Sequence, residues 1–323
     1  MKIFAKIFFI AVMVIEPFFV YCQEIVNTAS FSNIQSEGYF RFHYDNDFFT
    51  ATDQYYTQGI NLELVHPSLN NFPLSKLLLH FKNSKSKYGI SIEHNAFSPS
   101  SIRHPEILYD DHPFAACIML KTFAISFDSI SNSGLSSVIT IGAIGPVAFG
   151  EWMQKSIHKG LKNIEPLGWE NQIHNDVILN YNLSYQKHFL KIRNVMSFNM
   201  NTQIDVGTLK DQLKIGFTTM LGKFNNVFNY DKFNNYKFQF YLYSQPFLSF
   251  VGYDATLQGG LFNRSSPYTI RADDISRIIV ENKFGVVFTY KKLFLEYFQT
   301  IMTKEFKKGN FHRWGGVKIG LSF

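Results

Sequence analysis

The feature that most limits what this chain can fold into is a period-two alternation of apolar and polar side chains that recurs along its length. Between Gly59 and Leu64, the side chains of Ile60, Leu62 and Leu64 fall on one side and Gly59, Asn61 and Glu63 on the other. Tyr88, Ile90 and Ile92 likewise oppose Lys87, Gly89, Ser91, Glu93 and Asn95, and Val177, Leu179, Tyr181, Leu183 and Tyr185 oppose Asn180, Asn182, Ser184 and Gln186. Successive side chains of a strand point to opposite faces, so each segment reads as a strand with two chemically different faces. A soluble sandwich and a membrane-spanning barrel share this rhythm, and alternation alone does not separate them.

Three further observations favour the barrel. Beyond the N-terminal segment no apolar run reaches the ~18 residues a membrane helix needs. The closest, Leu135 to Gly150, is interrupted by Gly142, Gly145 and Pro146. Phe (35) and Tyr (17) are abundant while only 17% of residues are charged, a composition suited to contact with something other than water. The chain ends on the alternating "GVKIGLSF", closing on the aromatic Phe323 as outer-membrane barrels commonly do.

The expected fold is therefore an all-β, transmembrane antiparallel β-barrel of about twelve strands, with a short helix in an extracellular loop. The strand spans read as 38–46, 57–66, 86–97, 114–127, 136–145, 172–186, 189–206, 209–221, 236–253, 277–290, 292–303 and 312–323. With both ends in the periplasm, the outward loops are 46–56, 98–113, 146–171, 207–208, 254–276 and 304–311. Two periplasmic connections, 67–85 and 222–235, are long for such turns.

The N-terminus carries Lys2 and Lys6, an apolar stretch from Ile7 to Ile15, and Cys22-Gln23. It reads as a secretory signal peptide over residues 1–22, leaving a barrel domain over 23–323; a lipid anchor on Cys22 is the rival reading. Loss of Cys22 leaves Cys117 without a disulfide partner. Removing Lys2, Lys6 and Glu16 with the signal takes one net positive charge from +6 and leaves +5. That balance suits an anionic lipid surface, or simply a solvated basic exterior.

Three polar clusters fall on the first three outward loops. Asp45, Asn46 and Asp47 close the first strand, and Thr57 opens the second on the face of Asn61 and Glu63. Such oxygen donors suit a hard cation like calcium, and equally a hairpin turn. The second cluster holds Arg103, which could clamp a phosphate or stand as a rim charge. In the third, Gly150 to Leu161 reads as a helix carrying Glu151, Gln154 and His158 on one face, with Glu165 following as a further oxygen donor. His158 with Gln154 could be a general base and its positioning partner, or a structural pair.

These pieces resemble the calcium-dependent outer-membrane lipid A 3′-O-deacylases. The resemblance is carried by Asn46-Asp47, Tyr56-Thr57 with Gly59, Ser98-Pro99, Ile144 to Pro146, Gln154 with His158, Gly168-Trp169 with Gln172, and Leu257 to Gly259, in the family's order. It implies a twelve-stranded barrel with its active site between the outer rim of the wall and a helix, open to the outer leaflet. His158 would act as general base on water, Gln154 and Thr57 would position groups, and Arg103 would face a phosphate or carbonyl. Calcium near Asn46, Asp47 and Glu165 would stabilise the oxyanion. Departures are the single Arg103 where a Lys-Arg pair is usual, Asp111-His112-Pro113 in place of Asp-Arg-Pro, and Glu165 displaced by one position. The implied partners are lipid A in lipopolysaccharide, outer-membrane lipids and, through the C-terminal strand, the barrel-assembly machinery, with no nucleic acid. The competing readings are a non-enzymatic barrel (porin or adhesin) and another outer-membrane acyl hydrolase.

Overall fold

The computed structural model describes residues 36–51, 54–82, 84–192, 195–225, 228 and 237–323; the signal-peptide reading lies outside them. Twelve antiparallel strands form a closed barrel. They are β1 (Tyr39–Asn46), β2 (Tyr55–Val65), β3 (Lys85–Ser98), β4 (Ala115–Asp128), β5 (Ser133–Ile144), β6 (Asp176–Ile192), β7 (Met196–Gly207), β8 (Lys210–Lys223), β9 (Phe238–Asp254), β10 (Ile278–Tyr290), β11 (Leu293–Met302) and β12 (His312–Ser322). Closure is made by β1 against β12, from Tyr39↔Ser322 to Asn46↔Gly315. A closed barrel leaves no strand edge unpaired, which is what a bilayer demands of a sheet.

The two faces settle barrel against sandwich. Leu62, Ile92, Leu120, Ile141, Leu179 and Ile204 are exposed on the outside, whereas the polar alternates are buried inside. Inward charges are paired: Arg41 with Glu63 and Lys121 with Glu93 at 2.9 Å, Lys214 with Glu281 and Lys318 with Glu296 at 3.1 Å. The lumen cavities beside Lys121 and beside Gln245 measure only about 40 and 30 Å³. Packed in this way, the interior is a polar core, and the porin reading finds no support in it.

The largest boundary difference from the sequence reading lies between β6 and β7. β6 runs to Ile192, because a register shift at His188/Leu190 lets pairing continue to Ile192↔Met196. The reading had ended that strand at 186 and begun the next at 189. The long connection after β2 is also ordered: Pro67–Asn71 and Pro73–Leu77 form 3₁₀ turns, and Leu78 is buried against Tyr88 and Ala124.

At the other end the long loops meet. Tyr268 donates to the Asp111 carbonyl at 3.1 Å, Thr50 to the Arg313 carbonyl at 2.8 Å, and Lys308 pairs with Asp110 at 2.7 Å. The expected helix forms over Gly150–Leu161 and is labelled α1.

Candidate functional site

α1 does not lie over the lumen; it folds back onto the outside of the wall. Outward residues of β3 and β4, Ala96 and Ala116, form one buried cluster with Ile102, Phe114, Ala148 and Trp169. The approach is so close that a Cβ on Gly150 would lie 2.4 Å from the Ala116 Cβ. Just before the helix, Gly145 turns at φ +109° and donates its N–H to the Ala116 carbonyl at 2.8 Å, a conformation that favours glycine.

The face that α1 buries carries Gly150, Gln154 and His158, spaced by fours. Glu151 is not on it. It pairs instead with Lys155 at 3.0 Å on the solvent side, because the face that meets the wall must be narrow and close to a glycine. Gln154 is 1% exposed, and its Oε1 accepts the Trp169 indole N–H at 2.6 Å. His158 Nδ1 lies 2.6 Å from the Ile164 carbonyl. A carbonyl can only accept, so Nδ1 carries the proton and Nε2 keeps the free lone pair.

The wall beneath supplies the rest. β2 carries a bulge between Tyr56↔Phe97 and Gln58↔Ala96, and Thr57 is the extra residue. A bulge places two consecutive side chains on one side, so Thr57 turns away from the lumen to join Gln58 on the outer face. This corrects the expectation that Thr57 shares the inward face of Asn61 and Glu63. Its Oγ1 lies 2.7 Å from Ser98 Oγ, and Ser98 continues the outward row of His94 and Ala96. His94 Nε2 donates to the Ala148 carbonyl at 2.9 Å, tying the turn before α1 to the wall. On β1, one register step beyond Asp45↔Gly59, Asn46 faces outward beside Gln58. Asn46, Gln58, Ala96 and the helix thus form one continuous patch.

Not every expected residue joins it. Asn46 Oδ1 caps the following 3₁₀ turn by accepting from Phe48 N at 2.7 Å, and Asp47, 4% exposed, accepts from Gln54 N at 2.6 Å. Both remain oxygen donors at the rim. The Glu165 side chain is 71% exposed and lies 3.6 Å from Lys155. Among the described residues no group of three His, Cys, Asp or Glu side chains is placed to hold a metal. The oxygen chemistry of Asn46 and Asp47 suits a hard cation, whereas Glu165 is not part of that set in this conformation. Arg103 is exposed in the β3–β4 loop, near the patch in sequence but without a side-chain partner among the described residues.

Gln58, Ser98 and His94 were not singled out as site residues from the sequence. The signal was present for His94 and Gln58: each is a polar residue extending an outward apolar row, Ile90-Ile92 in one case and Ile60-Leu62-Leu64 in the other.

The fold and site define an outer-membrane β-barrel with a roofed polar patch on the outside of its wall. The family model described as "Outer membrane protein LpxR" matches residues 7–323, and the chain belongs to that family, the one its loop motifs resemble. Among solved structures it is similar to LpxR from Salmonella typhimurium, with a TM-score of 0.74 at 20% identity, covering 88% of this chain and all of that one. The NanC porin aligns at a TM-score of only 0.34 and 9% identity, over 88% of this chain and 98% of that one. No curated protein matches.

Proposed function

We propose that the protein is a lipid A 3′-O-deacylase, a carboxylic ester hydrolase acting at the outer leaflet with calcium as cofactor. The observation that carries this reading is His158, held by the Ile164 carbonyl with Nε2 free, on a helix roofing a polar patch of lipid-facing wall. A patch there is reached from the bilayer rather than from the lumen, which suits a substrate whose acyl chains lie in the membrane.

His158 Nε2 takes a proton from water, and the water oxygen attacks the carbonyl carbon of the ester at the 3′ position. The ester C–O bond then breaks, and the proton passes to the leaving sugar oxygen, yielding a free acyloxyacyl acid and a 3′ hydroxyl. Gln154, fastened by Trp169, positions the substrate, and Thr57 with Ser98 offers hydroxyls on the wall. Arg103 supplies a charge for a lipid A phosphate. Calcium, held by Asn46 and Asp47, would supply positive charge to the developing oxyanion.

The test is expression in a bacterium that makes hexa-acylated lipid A, followed by mass spectrometry of lipid A. Loss of one 3′ acyloxyacyl unit is expected. An unchanged spectrum with the barrel folded in the outer membrane would sink the proposal.

A further inference from the structure

Gln58 is a polar side chain of the outer wall that this scheme leaves unused. Gln58 is 1% exposed, and its Nε2 is enclosed with no hydrogen-bond partner among the described residues. It stands on the lipid-facing side, in the row continued by Ile60, Leu62 and Leu64. An enclosed amide donor on such a surface is unfavourable unless an acceptor comes to it.

Its neighbours indicate which acceptor. On one side, one step beyond the last β1–β2 pair Asp45↔Gly59, is Asn46; on the other is Ala96, paired directly with Gln58 and packed in the cluster of Trp169. Trp169 fixes Gln154, whose own Nε2 is likewise enclosed without a hydrogen-bond partner among the described residues. Ala96 therefore links the two unsatisfied amides: it pairs with Gln58 and packs in the cluster of the tryptophan that holds Gln154. Lone pairs on one oxygen can accept from both.

We propose that Gln58 is a further catalytic residue, which with Gln154 donates N–H to the carbonyl oxygen of the ester under attack. This rests on the deacylase reading and deepens it. As the water oxygen bonds to the carbonyl carbon, the π electron pair moves onto that oxygen, where the two amides stabilise it. Collapse restores the carbonyl, breaks the ester C–O bond and sends the proton from His158 to the leaving oxygen.

The experiment compares purified wild type and Gln58→Leu on lipid A in detergent, measuring kcat, KM and the thermal midpoint of heat-modifiable migration. Loss of one such donor lowers kcat by about 10²- to 10³-fold, while KM changes little. The thermal midpoint stays level or rises, because an enclosed unsatisfied donor has been removed. A folded Gln58→Leu protein with wild-type kcat overturns the proposal. So does a fall in kcat accompanied by a lowered thermal midpoint, which would mark Gln58 as structural. If the leucine variant does not fold, Gln58→Met is read by the same criteria. Wild-type protein that releases no acyl chain would instead remove the deacylase reading itself.

Discussion

The Trp169 indole donates to Gln154 Oε1 at 2.6 Å while its ring packs on Phe114 with centroids 4.8 Å apart. One side chain thus joins the segment after α1, the buried face of α1 and the wall. Trp169→Phe keeps the ring packing but removes the donor, leaving a buried amide oxygen unpaired. That costs about 1–3 kcal/mol at the helix seat. Lipid A deacylation by the variant should fall about tenfold while the barrel stays heat-modifiable. Full activity would show that Gln154 needs no such fastening.

His158 is the residue whose removal should matter most. His158→Ala takes away the proposed base, so turnover should drop by about 10²- to 10⁴-fold. Lipid A profiles from cells expressing equal amounts of folded variant check this. Retained turnover would move the base elsewhere.

The bulge at Thr57 gives a sharper structural test. Deleting Thr57 restores strict two-residue alternation in β2 with every remaining side chain on its present face, and removes the hydroxyl that the bulge turns outward beside Ser98. With the Gly59–Val65 pairing kept, Tyr56 stays inward with its 2.9 Å bond to Asp45, and the patch loses only the bulge and its Thr57 hydroxyl. The barrel should still close through the remaining pairs, with activity lost. An active deletion variant would mean that the bulge does not shape the site.

That bulge also marks where the sequence stopped being legible. Strand order, closure and the helix over Gly150–Leu161 follow from repeating patterns, and the structure reproduces them. The Gln154–His158 pairing was likewise readable, since residues four apart share a helix face. What failed were features set by a single inserted residue or by tertiary contact. Thr57 was assigned inward by counting in twos, which a bulge invalidates. Glu151 was assigned to the face of Gln154 and His158, but with Gly150 seated close on Ala116 it pairs with Lys155 instead. The roles of Gln58 and His94 depend on a helix covering lipid-facing wall, and no local pattern encodes that cover.

The proposed calcium site is tested at the oxygen donors of the rim. Asp47→Asn preserves an acceptor for the Gln54 N–H but removes the charge that favours a divalent cation. The calcium concentration for half-maximal activity should rise about tenfold or more, equivalent to about 1.4 kcal/mol. Chelation should abolish wild-type turnover, restored by added calcium. Activity indifferent to chelator would remove the metal from the mechanism, and an unshifted requirement in the variant would remove Asp47 from its site.

The long-loop rim contains its own pH-sensitive junction. Ser276 N donates to the Glu305 carbonyl at 2.8 Å, Lys307 N to the Asp274 carbonyl at 2.8 Å, and Ile275 bridges Phe306, clamping the β9–β10 loop to the β11–β12 loop. The Glu305 side chain, next to that backbone bond, is buried, and its Oε2 has no partner among the described residues. Burial foremost, then the negative charge of Asp254, pushes its carboxyl up to about 8 from an ordinary 4.5, with Lys210 opposing. The closed junction therefore holds the proton over a window in which the opened one has released it. Stability of the closed form is full below the ordinary value, falls as pH rises through the window, and levels off above about 8. Hydrogen exchange of the Ser276 and Lys307 amides, corrected for intrinsic rates, should report more frequent opening as pH rises from about 5 to about 9. Glu305→Gln keeps a neutral side chain of the same size and should flatten that dependence. A wild-type junction whose opening does not change across the window would show that Glu305 is already ionised in the closed state.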